Sequence, residues 1–153
     1  MTMYLKTLIA GAAMLVAIVV PAAASDGVVT VKSDYSVAET VARIKKDVLK
    51  KGIMFFGVID QAQLGKKAGN DVNPSRLVMF GNPALGTTFI TANPEAGLDW
   101  PVRVLVYQTA DGVYAAYTDF DWIAKRHGIT DRVAQFKMAT EVIQSVTSTI
   151  KKN

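Results

Sequence analysis

The amino-acid sequence predicts an α+β fold, with a single mixed or antiparallel sheet of about five strands backed by helices. Five short runs rich in β-branched and apolar residues have the length of strands. Helical periodicity and helix-capping residues lie between most of them, and Asp111-Gly112 marks a β-hairpin near residues 102–117. No glycine-rich phosphate-binding turn follows a strand, so a doubly wound sheet is not predicted.

The first two predicted elements are a strand and a one-sided helix. Residues 28–32 are mostly β-branched and predict the strand. Residues 36–39 form a capping box, in which the Ser36 hydroxyl accepts from the backbone N–H of Glu39 while the Glu39 side chain reaches back. Apolar residues then follow at helical spacing up to Gly52, which ends the helix.

The middle of the chain predicts two strands and a short helix. Residues 53–59 form a nearly continuous apolar run, which is typical of a strand buried on both faces or lining a deep core. A short helix over residues 62–68 and a strand over residues 76–80 follow.

The last third of the chain predicts the hairpin and two helices. Residues 102–107 and 113–117 are the hairpin strands, and residues 120–127 and 131–150 are the helices. One apolar face runs along the final helix; it consists of Val133, Phe136, Ile143, Val146 and Ile150.

Residues 1–25 have the composition of a secretory leader. Nineteen of them are hydrophobic, one lysine is their only charged side chain, and residues 21–25 resemble a signal peptidase site. The uncharged run, residues 8–20, is shorter than the roughly 20 residues that span a bilayer, although an uncleaved anchor is the alternative. We expect cleavage after Ala24 or Ser25 and a periplasmic or secreted protein without a stable membrane anchor.

The composition of the mature part excludes several kinds of chemistry. Residues 26–150 have the size of one domain. The sequence has no cysteine, which excludes disulfides, thiolate metal sites and a cysteine nucleophile, and a single histidine excludes a two-histidine metal motif. We find no nucleophile elbow, phosphate loop or pair of catalytic glutamates. We therefore expect neither a metal nor a cofactor.

Charge argues against a nucleic-acid partner. The chain has 17 Lys+Arg and 13 Asp+Glu. The basic residues form scattered pairs without interleaved aromatic residues, whereas nucleic-acid binding requires a concentrated basic stripe and stacking platforms. These pairs predict a solvated surface.

Three Asn-Pro pairs are candidate helix starts, with Asn as N-cap and Pro in the first turn; they begin at Asn73, Asn82 and Asn93. At residues 80–83 the pair predicts a helix directly after a strand. Backbone N–H groups at such a start attract anions or carbonyl oxygens. The alternative is that these pairs serve turn formation only.

Polar residues at strand ends are the other candidates for a site. Asp60 ends a strand, and Asp99 and Arg103 bracket Trp100-Pro101. A carboxylate near an arginine can be a general base or a ligand clamp, but also a structural ion pair or a helix cap. Asp119 is predicted to cap the helix that begins at Phe120.

Several separated segments resemble the domain-of-unknown-function family 302 in their order and spacing. They include residues 36–40, the strand up to Asp60, residues 80–83, residues 92–107 and residues 117–119. The resemblance implies a small α+β domain, often a homodimer, without an established activity. It also implies a pocket with six candidate lining residues: Asp60, Phe80, Asn82, Asp99, Arg103 and Tyr117.

Two positions depart from the pattern of that family. Gln61 stands where members often carry a histidine, and Gln108 stands where many carry a glutamate. Because a glutamine is neither a general base nor a good metal ligand, no chemistry of that kind is expected at Gln61.

Three functions remain open on the sequence. The first is a module that binds a small polar or anionic ligand through the Asn82 helix start and Arg103, in an otherwise apolar pocket. The second is an enzyme that uses Asp60 or His127 as acid or base. The third is a protein-interaction module that uses an apolar strip of the last helix, formed by Ile143, Val146 and Ile150.

Overall fold

The structure, a computed structural model, describes residues 27–152. The predicted leader, residues 1–25, lies outside this part of the chain. Among the described residues, no helix combines the length and the apolar composition that crossing a membrane requires.

In the described part of the chain, five strands form one sheet, and every neighbouring pair is antiparallel. Their order across the sheet is β1-β5-β4-β3-β2. This arrangement confirms the predicted α+β class and the hairpin. The strands are β1 (Val28–Ser33), β2 (Met54–Asp60), β3 (Ser75–Gly81), β4 (Val102–Thr109) and β5 (Gly112–Thr118).

Within residues 27–152, four helices, one of them a 3₁₀ helix, lie between strands, and two α-helices follow the last strand. The 3₁₀ helix spans Pro94–Asp99. The α-helices are α1 (Val37–Lys50), α2 (Gln61–Lys67), α3 (Pro83–Ala92), α4 (Phe120–Arg126) and α5 (Val133–Ser148). Side chains of α1, α3, α4 and α5 share a single hydrophobic core with alternate residues of the sheet.

The pairing register decides which strand residues enter this core. Val78 pairs with Val104, which in turn pairs with Tyr117, and all three are buried beneath the helices. Because successive side chains alternate between the faces of a strand, their sequence neighbours lie on the opposite face. We call that side the open face, defined by six half-buried residues: Leu77, Met79, Leu105, Tyr107, Tyr114 and Ala116.

Of the two alternatives predicted for β2, burial on both faces is wrong, although Phe55 packs against the core. Among the strands that the structure describes, β2 is an edge strand that pairs only with β3, and Met54, Phe56, Val58 and Ile59 are exposed. Its pairing is interrupted by an irregularity between Phe55 and Gly57. A continuous apolar run does not reveal whether a strand has one neighbour or two, because strand order depends on distant parts of the chain.

The apolar strip of the last helix is not available as an interaction surface. Ile143, Val146 and Ile150 are buried in the core. The hypothesis of a docking strip at these residues is therefore wrong, because the helix uses this face to cover the sheet.

Most predicted helix starts are confirmed. Ser36, Asn82, Asn93 and Asp119 each cap a helix through a side-chain oxygen. Asn73-Pro74 starts no helix and instead precedes β3.

Two local predictions differ in detail. The side chain of Glu39 does not reach back to the cap but bonds Arg43. In the hairpin, Ala110 and Asp111 form the turn, while Gly112 has a φ of +133° and already pairs with Thr109.

The buried position of α5 gives a prediction for stability. Ile143 is 2% exposed, so Ile143→Ala leaves a cavity and should lower the free energy of unfolding by about 2–5 kcal/mol. The control is Val133→Ala on the same helix, where the side chain is 73% exposed and a change within about 0.5 kcal/mol is expected. Urea denaturation measures both. Equal effects of the two substitutions would contradict the described packing.

Candidate functional site

A cavity of about 90 Å³ lies between the sheet and the helices α3, α4 and α5. Its wall is mainly apolar: Leu85 and Phe89 come from α3, and Phe120 and Ile123 come from α4. α5 contributes the longest stretch, consisting of Met138, Ala139, Val142 and Ile143. Met138 is exposed, so it lies at the outer rim.

The Trp100 indole forms one wall of this cavity. It follows the 3₁₀ helix directly and meets the Phe56 ring edge-on, with ring centroids 5.6 Å apart. The indole lies so close to Gly86 that a Cβ built there would be 1.9 Å from Nε1, and one built at Gly81 would be 2.8 Å from it. Glycine at these two positions therefore makes room for the indole.

Asn82 stands at the start of α3 and also lines the cavity. Its Oδ1 accepts from the backbone N–H of Ala84 at 2.9 Å and of Leu85 at 3.4 Å. This cap satisfies two of the N–H groups that a helix start leaves unpaired. It also fixes the orientation of the amide, because Oδ1 must face the helix and Nδ2 must face away from it.

Asp99 is the centre of a buried polar cluster beside the cavity. Its Oδ2 lies 2.7 Å from His127 Nε2, and the side chains of Asp99 and His127 are only 4% and 3% exposed. Arg103 and Arg126 each approach the carboxylate at 3.3 Å, and both guanidinium groups are partly exposed. Such pairing offsets the cost of burying a carboxylate.

Three of the six predicted lining residues meet at this cavity: Phe80, Asn82 and Asp99. Arg103 is not part of its wall. It lines a much smaller crevice, of about 10 Å³, which shares Asp99 with the larger cavity.

Asp60 lies elsewhere, at the junction of β2 and α2. It caps α2 by accepting from Gln63 N–H at 2.9 Å and pairs with Arg76 at 3.0 Å. The Gln63 N–H, together with Arg76, holds the pKa of Asp60 below its usual value. A carboxylate that is stabilised in its charged form is a weak base.

Tyr117 also lies outside the cavity wall. It points from β5 into the core and is buried. Burial and the neighbouring Asp119 raise the pKa of the Tyr117 hydroxyl. The cavity wall therefore includes neither Tyr117 nor Asp60.

Sequence reasoning missed two features of this site. Trp100 and Gly86 were not predicted as wall residues, and the pairing of Asp99 with His127 joins positions 28 apart in the sequence. The signal that the sequence did offer is the position of Trp100 directly after Asp99, since neighbours in the chain can line one cavity. Within residues 27–152, no group of three or more His, Asp or Glu side chains is arranged to hold a metal ion.

The model of one protein family, described as domain of unknown function DUF302, matches residues 29–152. A solved structure, the uncharacterized conserved protein DUF302 from Bacillus stearothermophilus, is similar with a TM-score of 0.66 at 16% sequence identity. The similarity covers 82% of this chain and 97% of that one. At this level of identity it shows that the fold is shared.

Two curated relatives carry the name fluoride-specific ion channel FluC 1. The protein from Brucella suis biovar 1 (strain 1330) is 37% identical over 117 residues, which are 74% of this chain and 46% of that protein. The protein from Brucella abortus biovar 1 (strain 9-941) has the same identity, with 43% of its length covered. The chain therefore spans less than half the length of these relatives.

The contact between Gly86 and Trp100 gives a prediction. Gly86→Ala should push the indole out of the wall, change tryptophan fluorescence and lower the free energy of unfolding by about 1–3 kcal/mol. The gain of about 1 kcal/mol in helix propensity does not offset this strain. The control is Gly97→Ala, whose Cβ would meet only Ile90 Cδ1, at 3.8 Å. If both variants behaved like the wild type, the close approach of the indole would be disproved.

Proposed function

The chain belongs to the DUF302 family, and on that premise we propose that it is a module that binds a small ligand in the cavity between α3, α5 and the sheet. The observation that carries this proposal is the cavity itself, with a largely apolar wall and a few polar groups at one end. Concave apolar sites with few polar groups are typical of small-molecule binding.

The lining favours a ligand whose main body is apolar. The sequence alone predicts a polar or anionic ligand at the Asn82 helix start and Arg103. However, Asn82 Oδ1 already occupies the N–H groups of Ala84 and Leu85, and Arg103 is outside the wall. A polar group of the ligand is therefore confined to the end of the cavity at Asn82 and Trp100.

The two other functions receive less support. Neither Asp60 nor His127 belongs to the cavity wall, so neither faces a substrate held there. The strip that would have served a protein partner, formed by Ile143, Val146 and Ile150, is buried. Residues 1–25 support the further proposal that the module works in the periplasm or outside the cell.

The expected homodimer is proposed to form through the open face of the sheet. Leu77 and Leu105 lie in its middle and are half-buried, whereas Arg103 and Lys32 bring two charges to the same face, where they pair with Met79 and Tyr114. Five strands about 4.8 Å apart give a face of roughly 500 Å² in projection. Because side chains protrude from the sheet, the accessible area of this face exceeds its projection and comes closer to the roughly 800 Å² per partner that stable complexes bury.

The size of the cavity determines how ligand binding has to be tested. A cavity of 150 Å³ holds benzene, which has six non-hydrogen atoms, so about 90 Å³ suits a body of about four non-hydrogen atoms. At a ceiling of about 1.5 kcal/mol per atom, such a ligand binds with a Kd in the micromolar range at best. Probes are therefore needed at millimolar concentration.

The first prediction uses 2-methylbutane and 3-methylbutan-2-one as probes. Both should shift the methyl NMR signals of Met138 and Ile143 in the wild type. Ala139→Leu fills the cavity and should abolish these shifts. The same substitution at Ala134, an exposed position of the same helix, should leave them intact. If the probes shifted no cavity signal in the wild type, the proposed function would be wrong.

The second prediction concerns association. Leu105→Lys introduces a charge at the centre of the open face and should weaken the dimer by at least tenfold, because an unpaired buried charge costs more than about 1.4 kcal/mol. Gln144→Lys adds the same charge at an exposed position of α5 and should have no effect. Analytical ultracentrifugation over a concentration series measures both. A wild-type protein that stays monomeric at all concentrations would rule out the proposed dimer.

A further inference from the structure

We infer that the ligand carries an oxygen acceptor, best a carboxylate, which binds the Trp100 indole N–H and the Asn82 side-chain amide at the start of α3. This inference rests on the proposed function, because it names the chemical class of the ligand in the same cavity. The ligand is then a short branched organic acid or its carbonyl analogue, with its apolar part among the side chains of α3 and α5.

The first donor is Trp100 Nε1. It lies against Gly86 and Gly81 in the cavity wall. In the part of the chain that the structure describes, this nitrogen makes no hydrogen bond, although no buried side-chain nitrogen or oxygen there lacks a partner. The indole N–H is therefore accessible, and a ligand in the cavity can reach it.

The second donor is Asn82 Nδ2. Because Oδ1 caps α3 through Ala84 and Leu85, the amide cannot turn without losing these bonds. Nδ2 has no partner among residues 27–152, and Asn82 is exposed. The amide thus presents N–H groups and no free acceptor on this side.

Asp99 is the one carboxylate in the wall, but it does not offer a free acceptor. Its oxygens already accept hydrogen bonds from Arg103 and Arg126, and Oδ2 is hydrogen-bonded to His127. A cationic ligand such as an amine would have to displace one of these partners. The polar end of the cavity therefore has unsatisfied donors and satisfied acceptors.

The charges around this end also favour an anion. Two guanidinium groups, those of Arg103 and Arg126, face the single carboxylate of Asp99. Both groups pair with the residue that directly precedes Trp100 in the chain, so salt, with a screening length of about 8–10 Å, does not fully screen their excess positive charge. A carboxylate gains from this field, and a neutral carbonyl does not.

The experiment compares four probes of similar size on the full folded domain: isobutyrate, 3-methylbutan-2-one, 2-methylbutane and isobutylammonium. Binding is titrated by NMR, from the Met138 methyl and the Trp100 Nε1–H signals. We expect isobutyrate and the ketone to bind more tightly than 2-methylbutane, each with a downfield shift of the Trp100 Nε1–H signal. Isobutylammonium should bind most weakly.

The decisive variant is Trp100→Phe, which keeps an aromatic ring next to Phe56 and removes the N–H. It should weaken isobutyrate and ketone binding about three- to tenfold, the effect of one hydrogen bond, and leave 2-methylbutane unchanged. Trp122→Phe makes the same replacement outside the cavity wall and should change none of the four affinities. Asn82→Asp keeps the capping oxygen, removes the N–H donors and should weaken isobutyrate binding more than ketone binding.

The outcomes separate this inference from the proposed function. If 2-methylbutane bound and the two acceptor probes had no advantage over it, the inference would be overturned while the cavity remained a binding site. Tightest binding of isobutylammonium would also overturn it. If none of the four probes bound the wild type, both the inference and the proposed function would fail. If Trp100→Phe does not fold, the wild-type titration alone is the test. The absence of a downfield shift of the Trp100 Nε1–H signal with isobutyrate and the ketone would then overturn the inference.

Discussion

The pairing of the buried Asp99 carboxylate is the constraint on which this end of the molecule depends. Asp99 ends the 3₁₀ helix, Arg103 lies in β4, and Arg126 and His127 lie at the end of α4. A carboxylate removed from water costs several kcal/mol unless it is paired. The three elements must therefore stay together for the charge to be tolerated, and Asn93 adds a bond from its amide to the backbone carbonyl of His127.

The same pairing fixes the shape of the cavity. Trp100 lies in the chain between Asp99, which the polar cluster holds, and β4, which the sheet holds. These two attachments set the direction of the indole. Gly81 and Gly86 supply the surface that receives it. The cavity is thus a product of a polar cluster and a glycine-lined contact, with the apolar side chains of α5 closing the other side.

Local features of this fold could be predicted from the sequence, and non-local ones could not. The caps at Ser36, Asn82 and Asp119 and the hairpin depend on neighbours within a few residues, so their signals are readable. The edge position of β2 and the meeting of Asp99 with His127 depend on strand order and helix packing. Half of the predicted lining residues meet at the cavity, because the resemblance indicated residue types without their directions.

The irregularity in β2 has a consequence for the behaviour of the protein in concentrated solution. An exposed apolar edge strand is a template on which another strand can pair, and such pairing leads to aggregation. Between Phe55 and Gly57 the regular spacing of the N–H and C=O groups is broken, and Gly57 has a φ of +150°. A strand from another molecule would find its ladder interrupted here, so the sheet has a built-in stop against fibrillar growth along this edge.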